Sequence, residues 1–179
     1  MTRIFSAFLM LSAGVGAVYA CNPQSPAKNT SATIAGKTVT VDYCAPSVRG
    51  RKVFGGSDAL QPDNSAWRLG ADKATVLHTD ADLMIGNVNV PKGDYSLFVD
   101  LDTGKWTLVI NKQTGQWGIK NDGSANFDPS KNVGTVPLTM SSGGPTEQLA
   151  ITVSSTGGNK GKLQIAWANM NASTTFTAK

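Results

Sequence analysis

Arg49, Gly50, Arg51 and Lys52 form a dense basic run, and further along the chain Arg68 directly follows Trp67. Guanidinium groups grip a carboxylate or phosphate through paired N–H donors, and an intervening glycine lets the backbone approach the anion closely. Arg49, Arg51, Lys52, Trp67 and Arg68 are therefore the candidate binding residues for a small anionic or glycan ligand. The plainer expectation for the same arginines is structural: they donate to the carbonyls of a long loop and pair with Asp42, Asp63 or Asp72.

A second group is His78-Thr79-Asp80-Ala81-Asp82. In an extended chain, residues two apart point to the same side, so His78, Asp80 and Asp82 would converge on a divalent ion through one nitrogen and two carboxylates. Such a site keeps open coordination positions and suits a metal-assisted hydrolase. The bland counterpart is a pair of aspartates solvating a turn at the end of a strand.

Nucleophilic catalysis has little to build on. His78 is the only histidine, and no serine sits in a Gly-x-Ser-x-Gly elbow. Nothing selects an acid and a base among twelve Asp and Glu residues. Of the four tryptophans, Trp106 and Trp167 fall in alternating segments and read as core. Trp67, in the loop, and Trp117, after a turn, are the two placed to present an indole to a sugar, although core packing is the commoner fate of a large aromatic.

The two cysteines, Cys21 and Cys44, pose an alternative. Met1 to Ala20 has one positive charge, an apolar run from Ile4 to Val18, and Val18-Tyr19-Ala20 before Cys21. This is the layout of a secretory signal over residues 1–20, with an apolar run too short for a membrane span of about 20 residues. A cysteine just after the cleavage point is also where a lipid anchor attaches, although Tyr19 fits that signal poorly. The competing expectation is a Cys21–Cys44 bridge, favoured in an oxidising compartment and restricting the unfolded chain by about 3 kcal/mol. Lipidation of Cys21 and the bridge exclude one another.

The elements that must position these residues read as β-structure throughout. A Pro/Ser-rich flexible lead-in covers residues 21–30, and a single β domain covers 31–179. Ser31 to Ile34 and Thr38 to Tyr43 alternate around Ala35-Gly36-Lys37 as a hairpin. Ala45 to Lys73, punctuated by proline and glycine, is one long loop, and loops of that length in compact domains are usually functional or disordered. Short alternating segments then recur at Ala74 to Thr79, Leu83 to Ile85, Val88 to Val90, Tyr95 to Asp100 and Trp106 to Asn111, linked by turn residues. Others follow at Val136 to Met140, Glu147 to Ser154, Leu163 to Trp167 and Thr174 to Thr177. The expected class is all-β: an antiparallel β-sandwich or open barrel of about nine or ten strands with one long loop. Charged residues are 16% of the chain and the net charge is +4, too small and too dispersed an excess for a nucleic-acid partner.

Four blocks carry a resemblance. They are Asp42 to Gly55, Trp67 to Thr75, Val90-Pro91-Lys92-Gly93-Asp94-Tyr95-Ser96-Leu97-Phe98, and Asn111-Lys112-Gln113-Thr114-Gly115-Gln116-Trp117-Gly118. Together and in this order the chain resembles the bacterial family named for domain of unknown function 2911. The resemblance implies an exported protein, single-domain or fused to helical repeats, with no activity to carry over. Ala45 stands where the family often has arginine, Asp72 where asparagine is usual, and Ser57 to Ser65 replaces a Val-Pro-Tyr-Gly segment. Two readings of function follow from the residues. One is an exported, periplasmic or envelope protein that binds a small anion, a glycan or an envelope protein at the 45–73 loop, without catalysis or cofactor. The other is a metal-assisted hydrolase built on His78 and its neighbouring carboxylates.

Overall fold

The structure is a computed structural model that describes residues 21–179; the signal read over residues 1–20 lies outside the described residues. Strand β1 (Ala27–Ile34) turns into β2 (Lys37–Cys44) through Ala35 and Gly36, whose φ values of 50° and 77° match the left-handed pair that tight hairpins require. Along β2, Val39, Val41 and Tyr43 are buried on one face, as the alternation predicts. The other strands of this sheet are β3 (Ala66–Trp67), β4 (Thr75–Thr79), β7 (Gly93–Asp102), β8 (Lys105–Asn111) and β9 (Asn132–Pro137). Their order is β1-β2-β4-β7-β8-β9, with β3 paired separately to β7. The second sheet is built from β5 (Leu83–Ile85), β6 (Val88–Val90), β10 (Thr139–Gly157) and β11 (Lys160–Ala178), in the order β10-β11-β5-β6.

The two antiparallel sheets face one another as a sandwich of eleven strands. Val41, Leu97, Val99, Leu108 and Ile110 from the first sheet meet Leu149, Ile151, Val153, Leu163 and Ile165 from the second. Each such side chain contributes about 1.5–3 kcal/mol by leaving water. Tyr43 fastens the sheets together: its Oη accepts the Ile151 N–H at 3.0 Å. On the outer face of the first sheet, Ala74, Phe98 and Val109 form a smaller cluster, and the Phe127 ring lies 4.7 Å from that of Phe98.

The structure revises three expected boundaries, one of them at Val136 to Met140, which is divided between β9 and β10 in different sheets. Leu163 to Trp167 and Thr174 to Thr177 belong to one strand of 19 residues, β11. Ala168 adopts φ 53°, and the buried positions change from Leu163, Ile165 and Trp167 before it to Ala172, Thr174 and Phe176 after it. A one-residue irregularity moves every later side chain to the opposite face, so the pattern reads as two strands when the backbone is one. The segment expected as a flexible lead-in carries a disulfide at Cys21, and β1 begins within it at Ala27. Among the described residues no helix is long and apolar enough to cross a membrane.

Candidate functional site

The 45–73 loop is held at both ends and in its middle. Val48 N–H donates to Glu147 O at 2.7 Å, Leu149 N–H to Pro46 O at 2.9 Å, and Arg49 N–H to the Glu147 carboxylate at 2.9 Å, docking the basic turn on β10. Arg51 N–H closes the turn on Val48 O, with Arg49 and Gly50 in left-handed conformations at φ 48° and 68°. Further on, Leu60 and Gln61 donate to the carbonyls of Lys52 and Val53, and Trp67 joins β7 opposite Val99. Leu69 and Asp72 are also left-handed, and Gly70 packs so closely on the carbonyl of Cys44 that a Cβ would lie 3.0 Å from it.

The N-terminal segment supplies the facing wall. Cys21 and Cys44 are disulfide-bonded with Cα atoms 5.6 Å apart, so the Cys21 sulfur that an acyl anchor would need is engaged in this structure. The bridge holds Gln24 against the loop, where its side-chain oxygen and its backbone carbonyl accept from Arg49 Nη1 and Nη2 at 2.9 and 3.1 Å.

Between these walls lies a cavity of about 180 Å³ whose lining includes Arg49, Arg51, Arg68, Gln24, Gln61 and Trp167. No Asp or Glu lines it. Three of the five candidate residues are thus brought together. Arg51 curls over its turn, Nε and Nη2 donating to Val48 O and Ser47 O at 3.1 and 2.6 Å. Arg68 donates from Nη1 to Trp117 O at 3.1 Å, and its guanidinium carbon lies 4.9 Å from the centre of the Trp117 ring. The arginines therefore do part of the carbonyl-satisfying work expected of them. A guanidinium carries five N–H groups, more than the two bonds from Arg51 and the one from Arg68 to described residues use. Burial lowers the Arg68 pKa, and the nearby Asp72 carboxylate opposes that shift.

Two of the five lie elsewhere. Lys52 forms an exposed ion pair with Asp58 at 2.7 Å and is not part of the cavity lining. Trp67 is 1% exposed and packs inside, stacked on Trp167 and edge-on to Phe54, so it presents no platform to a sugar. Trp167 takes its place at the cavity. It was hidden from sequence reasoning because its alternating position marks it as core, which it is by area while still lining the cavity. Trp117, the other tryptophan placed for exposure, is 53% exposed. The buried indole Nε1 atoms of Trp67 and Trp167 have no hydrogen-bond partner.

The grouping of His78 with Asp80 and Asp82 is corrected. β4 ends at Thr79, so the extended period that would align the three residues stops after the first. Asp82 instead accepts the Lys92 N–H at 2.8 Å. His78 lies opposite Asp94 in the β4–β7 register, with Nδ1 2.5 Å from the Asp94 carboxylate and Nε2 3.1 Å from that of Asp80. Both ring nitrogens face carboxylates, and the hydrogen bond to Asp94 is the main reason the His78 pKa is raised. An imidazolium satisfies both partners as a donor, whereas a metal ligand needs a free nitrogen lone pair. Among the described residues, the ligand-type atoms of Cys21, Cys44 and Asp72 do come together, but the two sulfurs are bonded to each other.

No curated protein and no solved structure matches this chain. The family model described as a protein of unknown function, DUF2911, matches residues 25–176, which takes in both sheets and the whole of the basic loop. The chain belongs to the DUF2911 family.

Proposed function

We propose that this protein is an exported, non-catalytic binding domain of the cell envelope, and that the cavity beneath the 45–73 loop takes a small oxyanion. The observation that carries the reading is the convergence of Arg49, Arg51 and Arg68 on one recess whose lining has no Asp or Glu. Guanidinium donors in a recess of this kind recognise carboxylate or phosphate in a bidentate manner, and partial desolvation strengthens the contact. The recess is formed by segments tied down by a disulfide and by backbone hydrogen bonds, so little ordering is required on binding. Export is supported by the layout of residues 1–20 and by the pairing of both cysteines, which suits an oxidising compartment.

A thermal-shift screen of the disulfide-bonded domain against organic anions, neutral sugars and divalent metals tests the proposal, since a ligand that prefers the native state raises its apparent stability. Carboxylates or phosphates are expected to raise the melting temperature, and the double variant R51A/R68A is expected to lose that response. A shift with metals or neutral sugars alone, or an anion response unchanged in the double variant, would overturn the assignment.

A further inference from the structure

A second, larger cavity of about 390 Å³ adjoins the first, and Arg51 lines both. The turn between them alternates its contributions: Ser47 and Arg49 belong to the first cavity, and Val48, Lys52 and Val53 to the second. The two also share an aromatic wall. Trp167 lines the first and Phe54 the second, with their rings edge-on and 5.7 Å apart. The left-handed Ala168, which follows Trp167 and resets the β11 pattern, lines the second cavity as well.

The chemistry of the two cavities differs in kind. The first is a recess of cationic and amide donors. The second is lined by Val48, Val53, Phe54, Pro145 and Ala168, and its charged groups are of both signs: Glu147, Arg51 and Lys52. The lysine is already paired with Asp58 and the carboxylate stands against the remaining cation, so little charge is left to draw in a second anion, whereas the apolar walls favour a hydrocarbon or aromatic body. The partition is firmly held, because the turn carrying it is pinned to Glu147 by both backbone and side-chain hydrogen bonds.

We infer that the ligand is an amphiphile: an oxyanion head held by Arg49, Arg51 and Arg68, and an apolar tail that passes Arg51 into the cavity walled by Phe54 and Ala168. This rests on the anion-binding reading given above and names the class of ligand that would satisfy it. The aliphatic stem of Arg51 suits such a position, since the tail crosses methylene groups while the guanidinium stays with the head.

The experiment is a calorimetric titration of the disulfide-bonded domain with n-alkyl carboxylates from acetate to octanoate and with the matching n-alkyl phosphates. In at least one series, affinity is expected to rise about two- to fourfold per added methylene, the gain from burying part or all of each group. The variant N169W, which places a large ring at the exposed rim of the second cavity, is expected to flatten that rise. Binding of acetate or phosphate with no dependence on tail length would overturn the amphiphile assignment and leave the anion site standing. A rise that persists unchanged in N169W would place the tail elsewhere and also overturn it. Absence of binding by every anion at millimolar concentration would instead remove the anion reading on which the inference rests.

Discussion

Trp67 and Trp167 stack across the interior of the sandwich, their ring centroids 5.7 Å apart and their planes 22° from parallel. Phe54 and Trp106 complete the group, with the Phe54 ring 4.8 Å from Trp106 and 5.4 Å from Trp67. One of these rings comes from the loop, one from the short strand β3, one from β8 and one from β11. The cluster therefore joins the 45–73 segment to both sheets.

The first prediction follows from that connection. Trp67→Ala removes a 1% exposed ring that no neighbour can replace, and is expected to cost about 3–5 kcal/mol in urea-induced unfolding. A loss under about 1 kcal/mol would show that the loop is not anchored through this residue.

The second prediction concerns the bridge between Cys21 and Cys44, which closes a segment with a sequence separation of 23. Reduction, or the double variant C21S/C44S, is expected to lower stability by about 3 kcal/mol. It should also weaken anion binding, because Gln24, which receives both Arg49 hydrogen bonds and lines the cavity, loses the covalent one of its ties to the loop. Intact mass before and after reductant reports the bridge directly as a gain of two hydrogens. A lipid-modified Cys21 would instead show an acyl-sized increment that reductant does not remove.

Much of this architecture was legible from residue alternation, and the failures have specific physical origins. The β1–β2 hairpin and the short strands β5 and β6 could be read because each has one buried face and a clear turn. β11 could not be read as one strand because Ala168 shifts the phase of its buried residues by one position. The donor chemistry of Arg49, Arg51 and Arg68 could be read, since few residues other than arginine offer a planar fork of donors, but their meeting at one cavity depends on how the loop folds. Trp167 was not, because burial and lining a cavity are compatible for a ring of that size. The His78–Asp94 pair required the β4–β7 register, which depends on contacts between residues distant in sequence.

The third prediction is a pH dependence carried by His78. Its pKa is raised above 6.5, first by the hydrogen bond to Asp94, with burial opposing and Asp80 adding to the rise. A folded-state pKa above the unfolded value means that the stabilisation is fully present below pH 6.5 and is lost as pH climbs through the folded value. The melting temperature is therefore expected to fall between pH 6 and pH 9 more steeply in the native chain than in the variant H78N. The side chains are 46% and 60% exposed, so solvent screening keeps the difference below about 1 kcal/mol. Parallel profiles for the two proteins would show that the pair contributes nothing to folding.

The fourth prediction tests how closely the outer loop presses on Arg68, one of the proposed binding residues. Gly118 adopts φ 94°, and a Cβ added there would lie 2.8 Å from the Cβ of Arg68. Left-handed backbone is strained for alanine, and the contact leaves no room without displacing Arg68 from Trp117. Gly118→Ala is expected to lower stability by more than about 1 kcal/mol and to weaken anion binding as well. Gly104→Ala provides the control: it also has positive φ, at 74°, but nothing lies within 4 Å of the added Cβ. It should show the backbone strain alone, with anion affinity unchanged. If both variants lose stability equally and bind anions alike, the approach of Gly118 to Arg68 has no part in shaping the site.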